Sequence, residues 1–585
     1  MTRAHITQII HLGLATALAG ITGLGCAGGD DAKAPADPDA KGNGQEDDNG
    51  AQGGPGGGAP NDDGKDDAGA GDDDDEAGGE DDGGDDGGDN DDGDNDDGDN
   101  NDGDGDAGGE DDSAGDDDDD DADEADEESA ESPSEDDSND EDCDEESDVV
   151  LYISPDDSNS MSSPVQVRQR VLEEGSNSLR DVHIRPWEFM NYYEFPYEPA
   201  AAGSLAITAE LAEGSDTGDP ETERYIMQLA IRSETVADDE RAPINVTLVL
   251  DTSGSMSGEP MELMRESCKA IAASLRDGDN VSMVEWDTEN SIRLENHEVT
   301  GPSDPILLDA IDSLAAGGGT NLYSGLATGY ALANKVWAAD RTNRIVLVSD
   351  GGANAGVTDI DLIAQNASIN GSDGIYMVGV GVGGGNYNDT LMDEVTDAGK
   401  GASVFVNNER EAWKVFSEDF LSTVLVAARD VQVELALPPG FEMVKFSGEG
   451  VSTDPDEIPP QHLAPNDAMV FYQEFDTCAP DAVGTDTTFT VTARYKDAVT
   501  FEDTEVSETF SFGQLLGTDP HLWPKGAAVL AYAQALRGYK KALGDDDKQA
   551  ALAPAITATE KALVWLADDI DLLEIREVLT ALVPS

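Results

Sequence analysis

The chain has 585 residues, and 128 acidic against 32 basic residues give it a formal net charge of −96. A chain so acidic repels phosphate backbones and anionic lipid headgroups, which excludes nucleic-acid binding and electrostatic membrane binding. The charge is uneven: residues 27–148 hold 56 acids and three lysines, whereas residues 149–585 carry a net charge of −44 over 437 residues. The second part is long enough for two or three folded domains.

Residues 1–26 have the pattern of an export signal. Arg3 precedes a mostly apolar run over 6–24, and Cys26 follows a small glycine. The segment resembles a bacterial lipoprotein signal, although Gly23 stands where such signals usually carry Leu. The resemblance implies a lipid anchor at Cys26 as the only membrane contact. Because alanine and glycine follow the cysteine instead of aspartate, it also implies a place in the cell envelope, at the outer membrane or cell surface. An ordinary cleaved signal and a single membrane anchor are the alternatives.

Residues 27–148 form a low-complexity acidic tract. A five-residue unit of the type Gly-Asp-Asn-Asp-Asp repeats from Gly88. A period of five cannot keep the ligand spacing of an EF-hand calcium loop, so the composition favours a disordered, self-repelling stalk. Fully stretched, it would reach roughly 400 Å. We expect it to hold a folded head away from its anchor.

The chain contains four cysteines. Cys268 lies on a predicted helix among apolar residues at spacings of three and four, so we expect it to be buried and inert. Cys143 and Cys478 are then the plausible disulfide pair of an exported protein, with Cys26 assigned to the lipid anchor.

From residue 244 onward, apolar strands alternate with amphipathic helices. The run over 244–250 ends at Asp251, and a helix is predicted at about 259–276. This alternation predicts an α/β fold with a doubly wound, mostly parallel sheet, which binds ligands beyond the carboxyl ends of its strands. Further strands are predicted at 280–286, 291–298, 344–349, 374–382 and 402–406, and helices at about 303–315, 322–339, 358–368, 386–397 and 408–426.

Three polar motifs lie where carboxyl ends of strands are expected. Asp251-Thr-Ser253-Gly-Ser255 follows the first strand, a Gly-Gly-Gly-Thr320 loop precedes a helix, and Asp350 ends another strand. Each motif alone is a common turn or helix cap. Together they place two carboxylates and three hydroxyls at one sheet edge, a set of hard oxygen ligands suited to Mg²⁺ or Mn²⁺.

These five residues match all positions of the metal-ion-dependent adhesion site of von Willebrand factor type A (VWA) domains, a Rossmann-like family. The resemblance covers 244–426. It implies that Ser253, Ser255 and Thr320 approach a Mg²⁺ or Mn²⁺ ion, while Asp251 and Asp350 mostly hold its waters. It also implies that an Asp or Glu of a partner protein completes the coordination.

The competing hypothesis is a structural or ion-buffering surface protein whose metal site is idle. An enzyme is not expected, because the site lacks a base of suitable pKa. A dinucleotide site at the Gly-rich run 379–384 is disfavoured, since no acid ends a following strand at the ribose distance. The six histidines are scattered and give no zinc spacing.

The flanks resemble those of bacterial lipoproteins that carry this domain. The stretch 182–193, before the domain, contains Arg185, Glu188 and Asn191 in the family's spacing. Inside the domain, 383–392 contains the family's Gly-Asn-Tyr-Asn-Asp segment. No defined biochemical activity comes with these flanks. We assign 149–243 to an N-terminal flanking region, 427–515 to a β-rich domain and 516–585 to a C-terminal helical region.

Overall fold

The computed structural model describes residues 148–155, 160–215, 217–218, 222–351, 374–383, 387–480 and 483–584. The predictions for the export signal, the acidic stalk, Cys26 and Cys143 lie outside the described residues, as does the predicted helix at 358–368.

The described residues contain sixteen strands, and those predicted for the α/β region begin and end within about two residues of their expected positions. The strands are β1 Val149–Ser154, β2 Ala206–Glu213, β3 Glu223–Arg232, β4 Ile244–Asp251, β5 Asn280–Trp286, β6 Asn290–Glu298, β7 Thr342–Ser349, β8 Tyr376–Val382, β9 Ser403–Val406, β10 Ala428–Leu437, β11 Phe441–Phe446, β12 Gly450–Ser452, β13 Gln461–Leu463, β14 Ala468–Thr477, β15 Thr488–Asp497 and β16 Asp503–Ser511.

Twelve α-helices lie in the described ranges, together with short 3₁₀ and π segments. The helices are α1 Ser162–Arg168, α2 Pro186–Tyr192, α3 Glu259–Ser274, α4 Pro305–Asp312, α5 Leu322–Val336, α6 Asp389–Ala398, α7 Glu409–Trp413, α8 Phe420–Val424, α9 Phe512–Leu515, α10 Trp523–Lys541, α11 Asp545–Trp565 and α12 Ile570–Leu582.

The α/β region is built on one sheet with the strand order β6-β5-β4-β7-β8-β9. All neighbouring pairs are parallel except β5 and β6. Every residue of β4 is buried, because alternate side chains enter different cores. Val246 and Leu248 pack with α3 and α4 on one face, and Val249 packs with α5 on the other. The predicted doubly wound α/β fold is confirmed.

Two antiparallel sheets form a second, β-rich part. One has the order β12-β1-β10-β15-β16, with β13 also paired to β10, and the other has the order β11-β14-β3-β2. Their facing side chains form one apolar core. Strands from the segment 149–243 therefore complete sheets whose other strands come from 427–515, and the sequence did not predict this union.

The C-terminal helices pack on the outer side of β14 and β3. Three helices, α10 to α12, form there, in agreement with the predicted C-terminal helical region, and their apolar residues share a core with α2. Phe189 of α2 meets Tyr532 of α10 edge to face, with ring centroids 5.4 Å apart. The N-terminal flank thus lies between the helical region and the α/β region.

The predicted helix at 408–426 is broken into three pieces. A π-helical segment, Lys414–Glu418, separates α7 from α8. The thiol of Cys268 is buried and free, as expected. Cys478 is disulfide-bonded, but its pairing with Cys143 stays a prediction. Within the described residues, none of the helices combines the length and apolar character that a membrane crossing requires.

Candidate metal centre

The candidate site lies at the carboxyl edge of the α/β sheet, where β4 and β7 end side by side. Leu250 pairs with Val348 in parallel register, so the next residues of both strands enter the same edge. Asp251 is the last residue of β4, and Asp350 directly follows β7. The parallel pairing brings together two motifs about 100 residues apart in the sequence.

Asp251 is fully buried, and both of its oxygens accept hydrogen bonds. The amide of Ser253 donates to Oδ1 at 2.9 Å, and the hydroxyl of Ser349 donates to Oδ2 at 2.7 Å. Burial raises the pKa of the Asp251 carboxyl, the two hydrogen bonds lower it, and the charge of Asp350 raises it further. A cation at this edge would relieve the cost of holding two carboxylates in a desolvated place.

The hydroxyls of Ser253 and Ser255 are connected to the carboxylate of Asp350 by short contacts. Ser253 Oγ is 3.0 Å from Ser255 Oγ, and Ser255 Oγ donates to Asp350 Oδ1 at 3.3 Å. Ser253 and Asp350 are buried, whereas Ser255 is exposed. Ser255 is therefore the residue of these three that a ligand from solvent can reach.

The loop that carries Thr320 is held against the first motif by backbone hydrogen bonds. Gly317 N donates to Thr252 O at 2.7 Å, and Gly254 N donates to Gly318 O at 3.3 Å. Thr320 itself is exposed, and among the described residues its hydroxyl makes no hydrogen bond to the other four site residues. The structure thus links Asp251, Ser253, Ser255 and Asp350 directly, and it places Thr320 on the adjoining loop.

Two glycines permit the close approach of the loops. Gly318 has φ of +83°, and a Cβ there would lie 2.7 Å from Cγ of Asp287. Gly351 has φ of +73°, and a Cβ there would lie 2.5 Å from the amide nitrogen of Asn388. Both positions combine a left-handed backbone with the lack of space for a side chain, which only glycine tolerates.

Two residues that hold the site together were missed by the sequence analysis. Ser349 donates to Asp251, and its hydroxyl also accepts from Gly351 N at 3.0 Å, so it fixes both motifs. Thr288 Oγ1 accepts a hydrogen bond from Gly319 N at 2.6 Å and fixes the loop that carries Thr320. The position of Ser349, a polar residue at the end of an otherwise apolar strand, could have indicated its role in the sequence. Nothing near Thr288 in the sequence indicates its contact.

The oxygen spacing allows a direct test of fit to a metal ion. In an octahedral Mg²⁺ site, ligands at 2.0–2.1 Å put neighbouring oxygens about 2.9 Å apart. Ser253 Oγ and Ser255 Oγ are 3.0 Å apart, so the two hydroxyls fit one edge of such an octahedron. Among the described residues there is no cluster of three or more His, Cys, Asp or Glu side chains with metal-binding geometry. The site has only two carboxylates, and the other donors are hydroxyls.

Comparison with known proteins agrees with this geometry. The family model of the von Willebrand factor type A domain matches residues 245–418. The chain is 30% identical to the uncharacterized protein YfbK of Escherichia coli over 37% of this chain and 38% of that protein. It is 28% identical to the uncharacterized protein sll0103 of Synechocystis over 39% of this chain and 54% of that protein. The chain thus spans between a third and about half of the length of these relatives.

More distant likenesses involve an animal protein and a solved structure. The chain is 28% identical to the mouse inter-alpha-trypsin inhibitor heavy chain H2 over 24% of this chain and 16% of that protein. A solved structure of a von Willebrand factor type A protein from Catenulispora acidiphila aligns with a TM-score of 0.41 and 15% identity, over 65% of this chain and 97% of that one.

Proposed function

We propose, from the premise that residues 245–418 form a von Willebrand factor type A domain, that this chain captures a partner protein through a divalent metal ion. The residues that would hold the ion are Asp251, Ser253, Ser255, Thr320 and Asp350. The partner's contribution is a carboxylate of Asp or Glu. The single observation that carries the proposal is the pair of hydroxyls of buried Ser253 and exposed Ser255, whose oxygens lie 3.0 Å apart, close to the spacing of about 2.9 Å in an octahedral Mg²⁺ site.

The site residues have two different roles: some position the metal ligands, and others are exposed to an incoming partner. Asp350 orients the hydroxyl of Ser255, and Asp251 holds the backbone of Ser253 by accepting from its amide. Ser255 and Thr320 are exposed and face the side from which a partner arrives. The ion, Mg²⁺ or Mn²⁺, supplies an electrophilic centre that stays electron-poor because hydroxyls are neutral ligands.

The requirement for a metal follows from the charge at the site. Asp251 and Asp350 are buried at this edge. Without a cation, these two carboxylates would repel the carboxylate of a partner. We therefore expect no capture of the partner without the metal ion, and not only a weaker capture.

We infer a binding role and not a catalytic one. Both oxygens of Asp251 already accept hydrogen bonds, and Asp350 accepts one from Ser255. Carboxylates engaged in this way orient ligands and are poorly placed to remove a proton from a substrate.

For its location we propose an exported protein, anchored by lipid at Cys26 and raised from the membrane by the acidic tract 27–148. The support is the signal pattern and the composition of the sequence. In this arrangement the metal site meets partners at the cell envelope.

The test is capture of partners from an envelope extract by the purified full chain. We expect at least one protein to bind in Mg²⁺, to be released by EDTA and to bind again when Mg²⁺ is restored. Capture that is unchanged by EDTA would contradict the proposal. If nothing binds under either condition while the chain still withdraws divalent ions from solution, the ion-buffering surface protein is the better account.

A further inference from the structure

A second buried polar cluster lies at the opposite end of the sheet from the metal site. Arg344 is near the start of β7, six residues before Asp350, which corresponds to about 20 Å along a strand. It is 4% exposed and lines a cavity of ≈ 50 Å³. Lys400, His462 and Asp467 also line this cavity, which lies where the VWA domain meets β13 and the start of β14.

Arg344 differs from the other buried arginines of the described chain. Arg168 and Arg241 each have a carboxylate oxygen 2.5 Å away, from Glu411 and Asp279 respectively. Arg344 has no carboxylate partner among the described residues. Its Nε donates to Val424 O at 2.7 Å, and its Nη1 is buried without a hydrogen-bond partner. An arginine stays protonated in proteins, so a full positive charge is buried here without an anion.

The nearest charged groups increase this imbalance. The guanidinium groups of Arg344 and Arg429 lie 5.6 and 5.4 Å from the ring centroid of Tyr376. Burial lowers the pKa of Arg344 to about 10, and although Tyr376 raises it, the charge of Arg429 lowers it further. The cluster is thus locally cationic in a chain whose net charge is −96.

The nearby acids do not neutralise Arg344. Asp430 is shared by Lys496 at 2.7 Å and Lys400 at 3.8 Å. Asp467 lines the cavity, but it interacts with Arg232 and accepts a hydrogen bond from the amide of Ala468.

His462 contributes a hydrogen-bond donor to the cavity wall. Burial lowers its pKa well below the usual range, with Asp430 acting in the opposite direction, so the ring is neutral at pH 7. Its Nδ1 accepts a hydrogen bond from the amide of Asp430 at 3.1 Å. A neutral imidazole that accepts at Nδ1 carries its proton on Nε2, which makes that atom a donor.

We propose that this cavity binds one small inorganic anion of about the size of chloride, held by Arg344 Nη1 and assisted by Lys400 and His462. Three observations agree: a buried guanidinium without a carboxylate, an excess of cations around it, and a cavity of ≈ 50 Å³. Measured as the space open to the centre of a water molecule, one water needs only about 10–15 Å³, so a cavity of ≈ 50 Å³ has room for an ion of the size of chloride. The anion would fasten the end of the VWA domain, since Arg344 also binds the carbonyl of Val424 in its last helix.

The first experiment compares thermal unfolding of the full chain in sodium chloride and in sodium gluconate at equal ionic strength. Gluconate is too large for the cavity, so it should not bind there. Because the ionic strength is equal, both solutions screen charges to the same extent, and a difference in Tm reports binding of chloride. At a chloride concentration about tenfold above Kd, we expect Tm to be about 2 °C higher than in gluconate. Equal Tm values over the whole concentration range would overturn the proposal. A shift in phosphate but not in chloride would overturn the choice of a chloride-sized ion.

Variants connect the shift to Arg344. Arg344→Met should abolish the difference between chloride and gluconate, and Arg344→Lys should keep a smaller difference of the same sign. Lys335→Met is the matched control, because it also removes one positive charge but lies at an exposed ion pair with Glu295. It should keep the full shift. A normal shift in Arg344→Met would contradict the assignment.

If Arg344→Met does not fold, bromide decides the question on the wild-type chain. Bromide replaces chloride and is located by its anomalous scattering in crystals. A peak within hydrogen-bond distance of Arg344 Nη1 supports the site. A crystal that takes up bromide elsewhere but not in this cavity excludes it.

Discussion

At the scale of single residues, Asp251 is central to the candidate metal site. Its two side-chain oxygens accept hydrogen bonds from two different segments, one from the amide of Ser253 and one from the hydroxyl of Ser349. Ser255 and Thr320 are exposed and contribute little to the fold. Substitutions at the two kinds of position should therefore have different effects on stability and on binding.

Asp251→Ala should abolish Mg²⁺ binding. The substitution removes one of two carboxylates at the site, while the hydrogen bonds that it breaks cost about 1–3 kcal/mol, too little to unfold the sheet. Isothermal calorimetry of Mg²⁺ with the wild-type and variant chains measures the effect, and circular dichroism verifies the fold. Asp309→Ala removes an exposed acid of α4 and serves as the control. An unchanged affinity in Asp251→Ala would exclude the metal-site assignment.

Asp467→Asn should stabilise the protein at neutral pH. Burial raises the pKa of Asp467 to about 6, with Arg232 acting in the opposite direction. The unfolded value is about 3.9, so the folded state binds more protons between about pH 4 and 6, and stability falls as pH rises through that window. The variant should be more stable than wild type by about 3 kcal/mol at pH 7.5 and equally stable below about pH 4.

Urea unfolding at several pH values tests this expectation. Asp340→Asn, at an exposed position, is the control for loss of one negative charge. A stability difference between Asp467→Asn and wild type that does not vary with pH would show that the effect comes from packing and not from the ionisation of Asp467.

At the scale of elements, local patterns predicted the α/β sheet well. Strands such as β4 are buried on both faces, so they read as continuous apolar runs of limited length. The break of the helix at 408–426 by a π-helical segment was not predicted, because the apolar spacing continues through it. Ser349 and Thr288 act through contacts with residues distant in sequence, which no local pattern reveals.

The union of the flanking segments could not be predicted for a similar reason. Strands β3 and β14 pair over ten residues although they are more than 200 residues apart in the chain. The sequence of a strand shows an alternating apolar pattern, but it does not identify the strand with which it pairs. The resemblance to bacterial lipoproteins picked out one motif in the N-terminal flank and one inside the α/β region, and the structure shows a contact between them.

That contact is an ion pair between the flank and the VWA domain. Arg185 Nη1 is 2.5 Å from Asp389 Oδ2, and Gln166 Nε2 donates to Asp389 Oδ1 at 2.8 Å. The next residue toward the N-terminus, Asn388, lies against Gly351 at the metal site. The flank is therefore linked through Asp389 and Asn388 to Gly351, the residue after Asp350.

Arg185→Met should destabilise the chain by about 3 kcal/mol, because it leaves the buried carboxylate of Asp389 without its cation. Combined with Asp389→Asn, the loss should be smaller than the sum of the two single losses by at least about 1 kcal/mol. Chemical denaturation of the wild-type chain, the two single variants and the double variant measures the free energies of unfolding for this double-mutant cycle. Arg224→Met, at a more exposed pair with Asp476, should cost about 1 kcal/mol or less. Additive losses at Arg185 and Asp389 would mean that the pair does not connect the two parts.

At the scale of the whole molecule, the proposed anchor, acidic tract and head have separate tasks. The anchor would fix location, the tract would provide reach, and the metal site would provide affinity. At about 0.15 M salt, electrostatic interactions extend about 8 Å. The charge of the tract is therefore too strongly screened to act on a distant site.

Cys26→Ser should move the protein from the membrane fraction to the soluble fraction. The acidic surface opposes binding to anionic lipid, and a lipid chain is the only membrane attachment that the account includes. Fractionation of cells that express each form, followed by immunoblotting, measures this. Equal membrane retention of both forms would contradict the lipoprotein assignment.

The most direct test of the central claim compares Mg²⁺-dependent capture of an envelope partner by three purified forms: the intact chain, a chain without residues 27–148, and Thr320→Ala. Thr320 is exposed, so its substitution should leave the fold intact. The account predicts that the shortened chain binds the partner in solution with nearly the affinity of the intact chain, and that Thr320→Ala loses capture. If the shortened chain loses affinity while Thr320→Ala retains it, the acidic tract is the binding element and the metal-site mechanism is wrong.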